Sequence, residues 1–322
     1  MSGIVPYRRP LVSAVTIDGP NTPLFPFQMV TPGVGDLDDA VSSRRIYGGW
    51  VVTVHISNVA SVIPVRHSLD VHALKLGFTR YRPGRTFHMF PNVYANDWLS
   101  LLPGQRRPAL TIEMQLDDSL QVVATEVALT SFTSQARLCT KDVSKIFRDS
   151  SHPHHEQIRP LVEVGALLRA QRKQKRAVPT VGQLVTRSWF LEKRSLGDRI
   201  IQELMILANC QLAAFCTEHS IPIIYRNYDP DYDMYAWYGV ENKGHFIAGG
   251  AGYTHATSPI RRAPDKVVQD QVYGWLRGGG FPRKEDELAA IADHVNGLAE
   301  KLRKSRDAYK WVFGEENGSN ET

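Results

Sequence analysis

The residues best suited to chemistry lie in one acidic stretch, residues 35–40, where Asp36, Asp38 and Asp39 fall within four positions. A fourth carboxylate, Asp18, ends an apolar run upstream. Clustered aspartate oxygens without histidine or cysteine are typical ligands of hard cations, so the stretch indicates Mg²⁺ or Mn²⁺ rather than zinc. It does not match an EF-hand loop, which needs Asp at alternate positions and Glu at the twelfth. A solvent-facing acidic turn is the alternative interpretation.

A second segment, residues 257–262 (TSPIRR), supplies the opposite charge. Pro259 restricts Ser258 to extended geometry, and a glycine-rich run precedes the segment. The planar guanidinium of Arg261 would match phosphate oxygens in a bidentate manner. The alternative is a helix that begins at Pro259 and carries two surface arginines.

Composition favours a globular chain with an anionic partner. The 322 residues are 43% hydrophobic, which allows one large domain or two modest lobes. The net charge of +5 and pI of about 9.0 suit nucleic acid, although ordinary solvated lysines and arginines explain them equally. Three cysteines without CxxC spacing indicate neither a disulfide framework nor a thiolate zinc site.

The sequence lacks recognisable targeting features. The N-terminus shows no basic region followed by an apolar stretch, and we expect no apolar run to approach the length of a membrane span. These features predict a cytoplasmic protein without a membrane partner. Residues 314–322 have the composition of a disordered tail.

The acidic stretch lies between two predicted strands, residues 11–17 and 50–56, and therefore near a sheet edge. Residues 108–116 and 122–131 alternate apolar and polar side chains and are predicted to pair, and residues 223–225 form a short strand. Residues 78–84 are predicted to be a loop that exposes Tyr81 between two arginines.

Helical spacing of apolar residues is strongest over 195–218, with Ser195 or Asp198 as the N-cap. The other predicted helices are residues 69–77, 140–149, 158–176, 264–276 and 284–312. The helix over 158–176 ends in a basic cluster: Arg169, Arg172, Lys173, Lys175 and Arg176. Such a cluster is most often a solvated face, and a phosphate-tracking patch is the alternative.

An ordered set of motifs resembles the RNB catalytic domain, the core of ribonuclease II, ribonuclease R and the exosome exonuclease. The set spans most of the chain: TID at 16–18, GDLDDA at 35–40, HISNV at 55–59, LD at 69–70, GFTRYRPG at 77–84, SLLPG at 100–104, RPAL at 107–110, QELMILAN at 202–209, YRN at 225–227 and YTHATSPIRR at 253–262. Each motif alone is weak evidence for the family, whereas the whole set in this order is specific to it.

The resemblance implies a mixed α/β fold, an RNB-type domain with a mixed sheet flanked by helices and without the family's flanking OB-fold barrels. We expect residues 11–313 to form this single domain, after an N-terminal arm at 1–10. The implied activity is hydrolytic 3′-to-5′ degradation of single-stranded RNA to nucleoside monophosphates.

The resemblance also implies roles for individual residues. Asp18, Asp36, Asp38 and Asp39 would hold Mg²⁺ (Mn²⁺ as the alternative) and orient water; Asp38 would be the most sensitive, with Asp36 and Arg261 as its catalytic partners. Tyr81 would stack on the terminal base, and Glu203 would lie near the terminal ribose. Arg262 and Tyr253 complete the expected RNA-binding set.

The chain departs from the family pattern at several positions. Seventeen residues separate Asp18 from Asp36, where the family has only a few. The substituted positions are Asn58 for an aspartate, Thr140 and Ala263 for tyrosines, and Gln269 for a histidine; Trp189 and Phe190 are the candidates for a second stacking aromatic. Two competing hypotheses follow: a catalytically impaired RNA-binding module on the same fold, and a scaffolding domain whose acidic loop binds no metal.

Overall fold

The structure is a computed structural model, and it describes residues 14–18, 35–82, 85–175, 195–231 and 235–313. The expected arm at 1–10, the tail at 314–322, and Trp189 and Phe190 lie outside these residues. The fold is the expected mixture of helices and strands.

The central sheet is antiparallel and has the order β2 (Asp39–Ile46), β3 (Gly49–Ser57), β6 (Arg106–Asp117) and β7 (Val122–Thr133). Every residue of β3 is buried, as its valine-rich sequence predicts. The close approach of β6 to the start of β3 requires Gly49, because a Cβ there would lie 1.9 Å from the Leu116 carbonyl oxygen. The predicted pairing of β6 with β7 is confirmed.

Three shorter pairs of strands surround this sheet. β1 (Thr16–Asp18) runs parallel to β8 (Arg137–Cys139), with Asp18 opposite Cys139. β4 (Arg80–Arg82) and β5 (Arg85–Phe87) form a hairpin, and so do β9 (Tyr225–Asn227) and β10 (Trp237–Gly239).

The prediction of a loop over residues 78–84 is therefore wrong at its centre, because residues 80–82 form β4. A strand of this length is too short for alternation to identify. The short strand predicted at 223–225 begins only at Tyr225.

The helices are α1 (Val59–Val62), α2 (Ser68–Leu76), α3 (Val143–Arg148), α4 (His155–Lys175), α5 (Leu196–Glu218), α6 (Ala263–Leu276) and α7 (Glu285–Phe313). A π-helix covers Tyr94–Trp98, and a 3₁₀ turn covers Phe246–Ala248. A helix start at Pro259 is excluded, because α6 begins four residues later, at Ala263. The predicted helix over 140–149 is shorter, whereas α4 begins before residue 158.

Helix α5 is the centre of the core. Ser195 caps it as predicted: its hydroxyl accepts from the Asp198 N–H, and the Asp198 carboxylate accepts from the Ser195 N–H. Its side chains Ile200, Leu204 and Leu212 join the apolar cluster formed by the central sheet.

Among the described residues, α5 is long and apolar enough to cross a membrane by length and composition alone, whereas we expected no apolar run of that length. Buried core helices of globular proteins meet the same criterion.

A buried ionic cluster fixes α6 against α2 and the start of α7. Lys266 donates to Asp70 at 2.7 Å and to Asp270 at 2.9 Å, and Arg283 donates to Asp70 at 2.7 Å. All four side chains are 1% exposed. Because buried charges are tolerated only when paired, this cluster fixes the position of α6 and of the turn that leads into it.

Candidate active site

Arg261 and Asp38 form the centre of the site. The Arg261 Nε donates to Asp38 Oδ2 at 2.9 Å, and the Ile260 N–H donates to Asp38 Oδ1 at 2.7 Å. The Asp38 side chain is 2% exposed and that of Arg261 is 42% exposed. Burial raises the pKa of Asp38 well above its usual range, against the opposing effect of Arg261, and Asp36 and Asp39 raise it further. Asp38 is thus a buried carboxyl group that forms an ion pair with one side chain, the guanidinium of Arg261.

Tyr81 and Asp36 make the second contact at the site. The Tyr81 hydroxyl donates to Asp36 Oδ2 at 2.6 Å. Burial and the Asp36 carboxylate both raise the pKa of Tyr81, so the hydroxyl stays protonated and remains a donor. Tyr81 as a residue is 39% exposed, so it is not fully covered by the surrounding protein.

The backbone of the acidic stretch is held from the segment that follows the π-helix. The Ser100 hydroxyl accepts from the Leu37 N–H at 3.0 Å and donates to the Ala95 carbonyl at 2.6 Å. The Leu101 N–H donates to the Leu37 carbonyl at 3.0 Å. In the sequence, Ser100 is visible only as part of the SLLPG motif, and nothing in the motif predicts that it positions the backbone of the acidic stretch.

The residue that precedes β1 pairs with β2 just after the acidic stretch. Val15 and Val41 exchange both backbone hydrogen bonds in an antiparallel bridge, at 3.1 and 2.9 Å. The insertion at 19–34 and the Asp18 side chain lie outside the described residues. Asp39 begins β2 opposite Ile56 and is partly buried.

The oxygen donors at the site are of the kind that hard cations prefer, but the described geometry does not gather them around one point. Asp36, Asp38 and Asp39 offer only oxygen, the donor atom that hard cations prefer. Burial is the main cause of the raised pKa of Asp38, and the carboxylates of Asp36 and Asp39 add to it. In the described parts of the chain, however, no group of three or more His, Cys, Asp or Glu side chains is arranged around one point. Both Asp38 oxygens accept hydrogen bonds from protein donors.

Glu203 lies in a buried ion pair between α4 and α5. Arg172 donates to both of its oxygens at 2.6 Å, and Arg169 lies 3.6 Å away. The Glu203 side chain is 2% exposed. Arg169 and Arg172, two members of the basic cluster, therefore face Glu203 in the interior. They belong neither to a solvated face nor to a patch that tracks phosphates.

Tyr253 and Arg262 stabilise the turn that carries Arg261. The Arg262 Nη2 donates to Asp265 Oδ1 at 2.6 Å, and the same oxygen accepts from the Ser258 N–H at 2.8 Å. Tyr253 is 9% exposed, and its hydroxyl accepts from Asn209 Nδ2 at 3.2 Å. Burial raises the pKa of Tyr253 to about 12.

Four positions at which this chain departs from the family pattern, 58, 140, 263 and 269, lie in structured parts of the protein. Asn58 caps α1 by accepting from the Ser61 N–H at 3.2 Å. The Gln269 amide links α6 to the end of β3, accepting from the Ala60 N–H at 3.0 Å and donating to the Ser57 carbonyl at 2.8 Å. Thr140 is buried, and Ala263 is the first residue of α6. At positions 58 and 269, neutral hydrogen-bonding side chains connect the elements around the site.

The chain is similar to known proteins in sequence and in fold. The RNB domain model matches residues 24–236. Ribonuclease R of Thermotoga maritima is 24% identical over 86% of this chain and 49% of its own length.

Two solved structures show the same fold. Mycoplasma genitalium RNase R in complex with ribose-methylated single-stranded RNA has a TM-score of 0.79 and 21% identity, over 95% of this chain and 58% of that one. Yeast Ssd1, described as a pseudonuclease, has a TM-score of 0.70 and 18% identity, over 91% of this chain and 43% of that one. The chain spans about half the length of the curated relatives it matches. With the family model covering most of the acidic and aromatic motifs, the chain belongs to the RNB domain family.

Proposed function

We propose that this protein is a hydrolytic 3′-to-5′ exoribonuclease that releases nucleoside monophosphates from single-stranded RNA. One observation carries the proposal: an acid–cation pair, Asp38 with Arg261, lies beside an acid–aromatic pair, Asp36 with Tyr81. The ribonuclease names of the relatives support it.

Each group would have a distinct task. Arg261 contacts Asp38 through Nε, and its partly exposed guanidinium offers donors to the oxygens of a scissile phosphate. Tyr81 would stack on the 3′-terminal base while its hydroxyl holds Asp36 in place. Asp38, a buried carboxylate held by Arg261 and by the Ile260 N–H, would help to hold the metal ion and to orient the attacking water.

We propose Mg²⁺, or Mn²⁺, as the cofactor, held by Asp36, Asp38 and Asp39 together with Asp18. When bound, such an ion supplies a Lewis acid and lowers the pKa of a coordinated water. Glu203 would act near the ribose only through its ion pair with Arg172, since both of its oxygens accept from that arginine.

The test is degradation of 5′-labelled single-stranded RNA with Mg²⁺ and with EDTA. We expect a ladder shortened from the 3′ end, release of nucleoside monophosphates, and loss of both with EDTA or in Asp38→Asn. Asp118→Asn is the matched control, because Asp118 is an exposed acid on the β6–β7 turn. Unshortened RNA, or full activity in Asp38→Asn, would contradict the proposal.

A catalytically impaired RNA-binding module is the second candidate. It is favoured by the hydrogen bonds that engage both Asp38 oxygens, and by the similarity in fold to a pseudonuclease. RNA affinity that is the same in the wild type and in Asp38→Asn, together with no turnover in either metal, would establish this candidate in place of the enzyme.

A further inference from the structure

The β4–β5 hairpin presents two chemically different faces. Tyr81 is paired with Thr86, and Arg80 is paired with Phe87. Because side chains alternate along a strand, Tyr81 and Thr86 share one face, while Arg80, Arg85 and Phe87 share the other. The first face meets Asp36 through Tyr81. The second, which we call the outer face, is not used by the site described above.

The outer face combines an exposed aromatic ring with two exposed arginines. Phe87 is 43% exposed, and the guanidinium carbon of Arg85 lies 4.6 Å from the centre of its ring. Arg80 is exposed as well. Among the described residues, no carboxylate forms an ion pair with Arg80 or Arg85, whereas Arg261 and Arg262 at the site each have one. This small surface is therefore apolar, planar and positively charged.

Single-stranded nucleic acid fits such a surface. Its bases stack on aromatic rings and on guanidinium planes, and its phosphates are neutralised by arginine. An acidic partner protein would use the arginines but would gain little from a phenylalanine stacked with an arginine. The outer face lies on the hairpin that carries Tyr81, on the side opposite to the Tyr81 ring, so only a strand that continues past the edge of the hairpin would cover both.

We propose that Arg80, Arg85 and Phe87 form a second nucleotide subsite, which binds RNA on the 5′ side of the nucleotide at Tyr81. The inference rests on the proposed function for the polarity of the strand. Phe87 stacks on a base, and the two arginines contact flanking phosphates. Affinity therefore depends on RNA length, because a trinucleotide held at Tyr81 does not extend over the outer face.

The experiment measures the affinity of the full chain for a fluorescent 12-nucleotide RNA in EDTA, with a trinucleotide as the short competitor. We expect Phe87→Ala to weaken binding of the 12-mer about 10-fold and binding of the trinucleotide less than about 2-fold. Phe87→Trp keeps an aromatic ring at this position and should bind the 12-mer like the wild type, in contrast to Phe87→Ala. Arg85→Gln weakens binding and lowers the slope of log affinity against log salt by about one.

Two controls separate the subsite from general surface effects. Val123→Ala removes an apolar side chain of similar exposure on β7, and Tyr47→Ala removes a fully exposed aromatic from the β2–β3 turn. Both should bind the 12-mer like the wild type, and circular dichroism melting reports whether each variant is folded.

The outcomes distinguish this inference from the proposed function. A wild type that binds but does not cleave RNA defeats the enzyme proposal, while a length-dependent loss in Phe87→Ala still supports the subsite. Unchanged 12-mer affinity in Phe87→Ala overturns the subsite even if the wild type cleaves RNA. An equal loss for the 12-mer and the trinucleotide also overturns it, because Phe87 would then act only through Tyr81.

Discussion

Arg261 donates to Asp38 across 223 positions of sequence, and the carboxylate it contacts is almost fully buried. The Ile260 N–H donates to the other oxygen of the same carboxylate. One short turn therefore supplies both hydrogen-bond donors to Asp38. The burial cost of this aspartate is offset mainly by residues that belong to a distant part of the chain.

Removing the Arg261 guanidinium should affect rate and stability together. Arg261→Gln leaves Asp38 without its cation, so we expect kcat to fall about 10²- to 10³-fold, the scale seen when a fixed donor to developing charge is lost. We also expect a lower midpoint of thermal unfolding. Arg261→Lys should recover stability more than rate, because an ammonium group cannot reproduce the planar fork. Arg44→Gln, on the exposed part of β2, is the control. Equal rates for the lysine variant and the wild type would contradict this role.

Tyr81 permits a separation of stacking from positioning. Tyr81→Phe keeps the ring but removes the hydroxyl that donates to Asp36, so we expect RNA affinity within about 2-fold of wild type and a lower kcat. Tyr81→Ala should weaken RNA binding by about 10-fold or more, since a base–aromatic stack is worth ~1–3 kcal/mol. Fluorescence anisotropy and single-turnover cleavage measure the two effects. If the phenylalanine variant loses affinity as strongly as the alanine variant, the hydroxyl rather than the ring is what RNA requires.

Glu203 should prove to be a strongly stabilising residue. Glu203→Gln leaves Arg172 in a largely buried position without its carboxylate, and removing one partner of such a pair costs about 3–5 kcal/mol. The free energy of unfolding in urea provides the measurement. Replacing the pair with apolar residues, as in Glu203→Leu with Arg172→Met, should recover much of the loss. A loss below about 1 kcal/mol in the single variant would show that the pair does not stabilise the α4–α5 packing.

Ser100 should control rate through the backbone of the acidic stretch. Ser100→Ala leaves the Leu37 N–H without its acceptor, which we expect to cost ~1–3 kcal/mol and to lower kcat with little change in KM. Ser151→Ala, an exposed hydroxyl on the turn after α3, is the matched control. A rise in KM alone would place Ser100 in RNA binding rather than in positioning the acids.

The buried ionic cluster should make stability depend on pH. Burial raises the pKa of Asp270 from 3.8 to about 6, against the effects of Lys266 and Arg283. A carboxyl whose folded pKa is raised favours folding most below its unfolded pKa, and this contribution is lost as pH rises through about 6. As pH falls from 7 to 4, wild type should therefore gain stability relative to Asp270→Asn, by on the order of 2 kcal/mol.

Urea unfolding of both proteins at several pH values checks this expectation. Asp293→Asn, an exposed acid on α7, should show a difference from wild type that does not change with pH. A pH-independent difference for Asp270→Asn would contradict the raised pKa.

The sequence by itself determined the elements whose signals are local. The valine-rich run of β3, the alternation along β6 and β7, and the Ser195 cap of α5 were each read from neighbouring residues. The ordered motifs also identified the family, because each motif is a short string. The three-residue strand β4 was missed, since alternation needs a longer run to be recognised.

Only the tertiary structure decided which charges meet. The structure gives Tyr253 and Arg262 hydrogen bonds that support the Arg261 turn, and their expected contact with RNA stays a prediction. Glu203 is paired with Arg172 from another helix. Charge and hydrogen-bonding capacity are visible in a sequence, but the partner depends on which faces of distant elements pack together. The acidic stretch was identified from its residues, whereas its pairing with Arg261 required the packing of α6 and the turn before it.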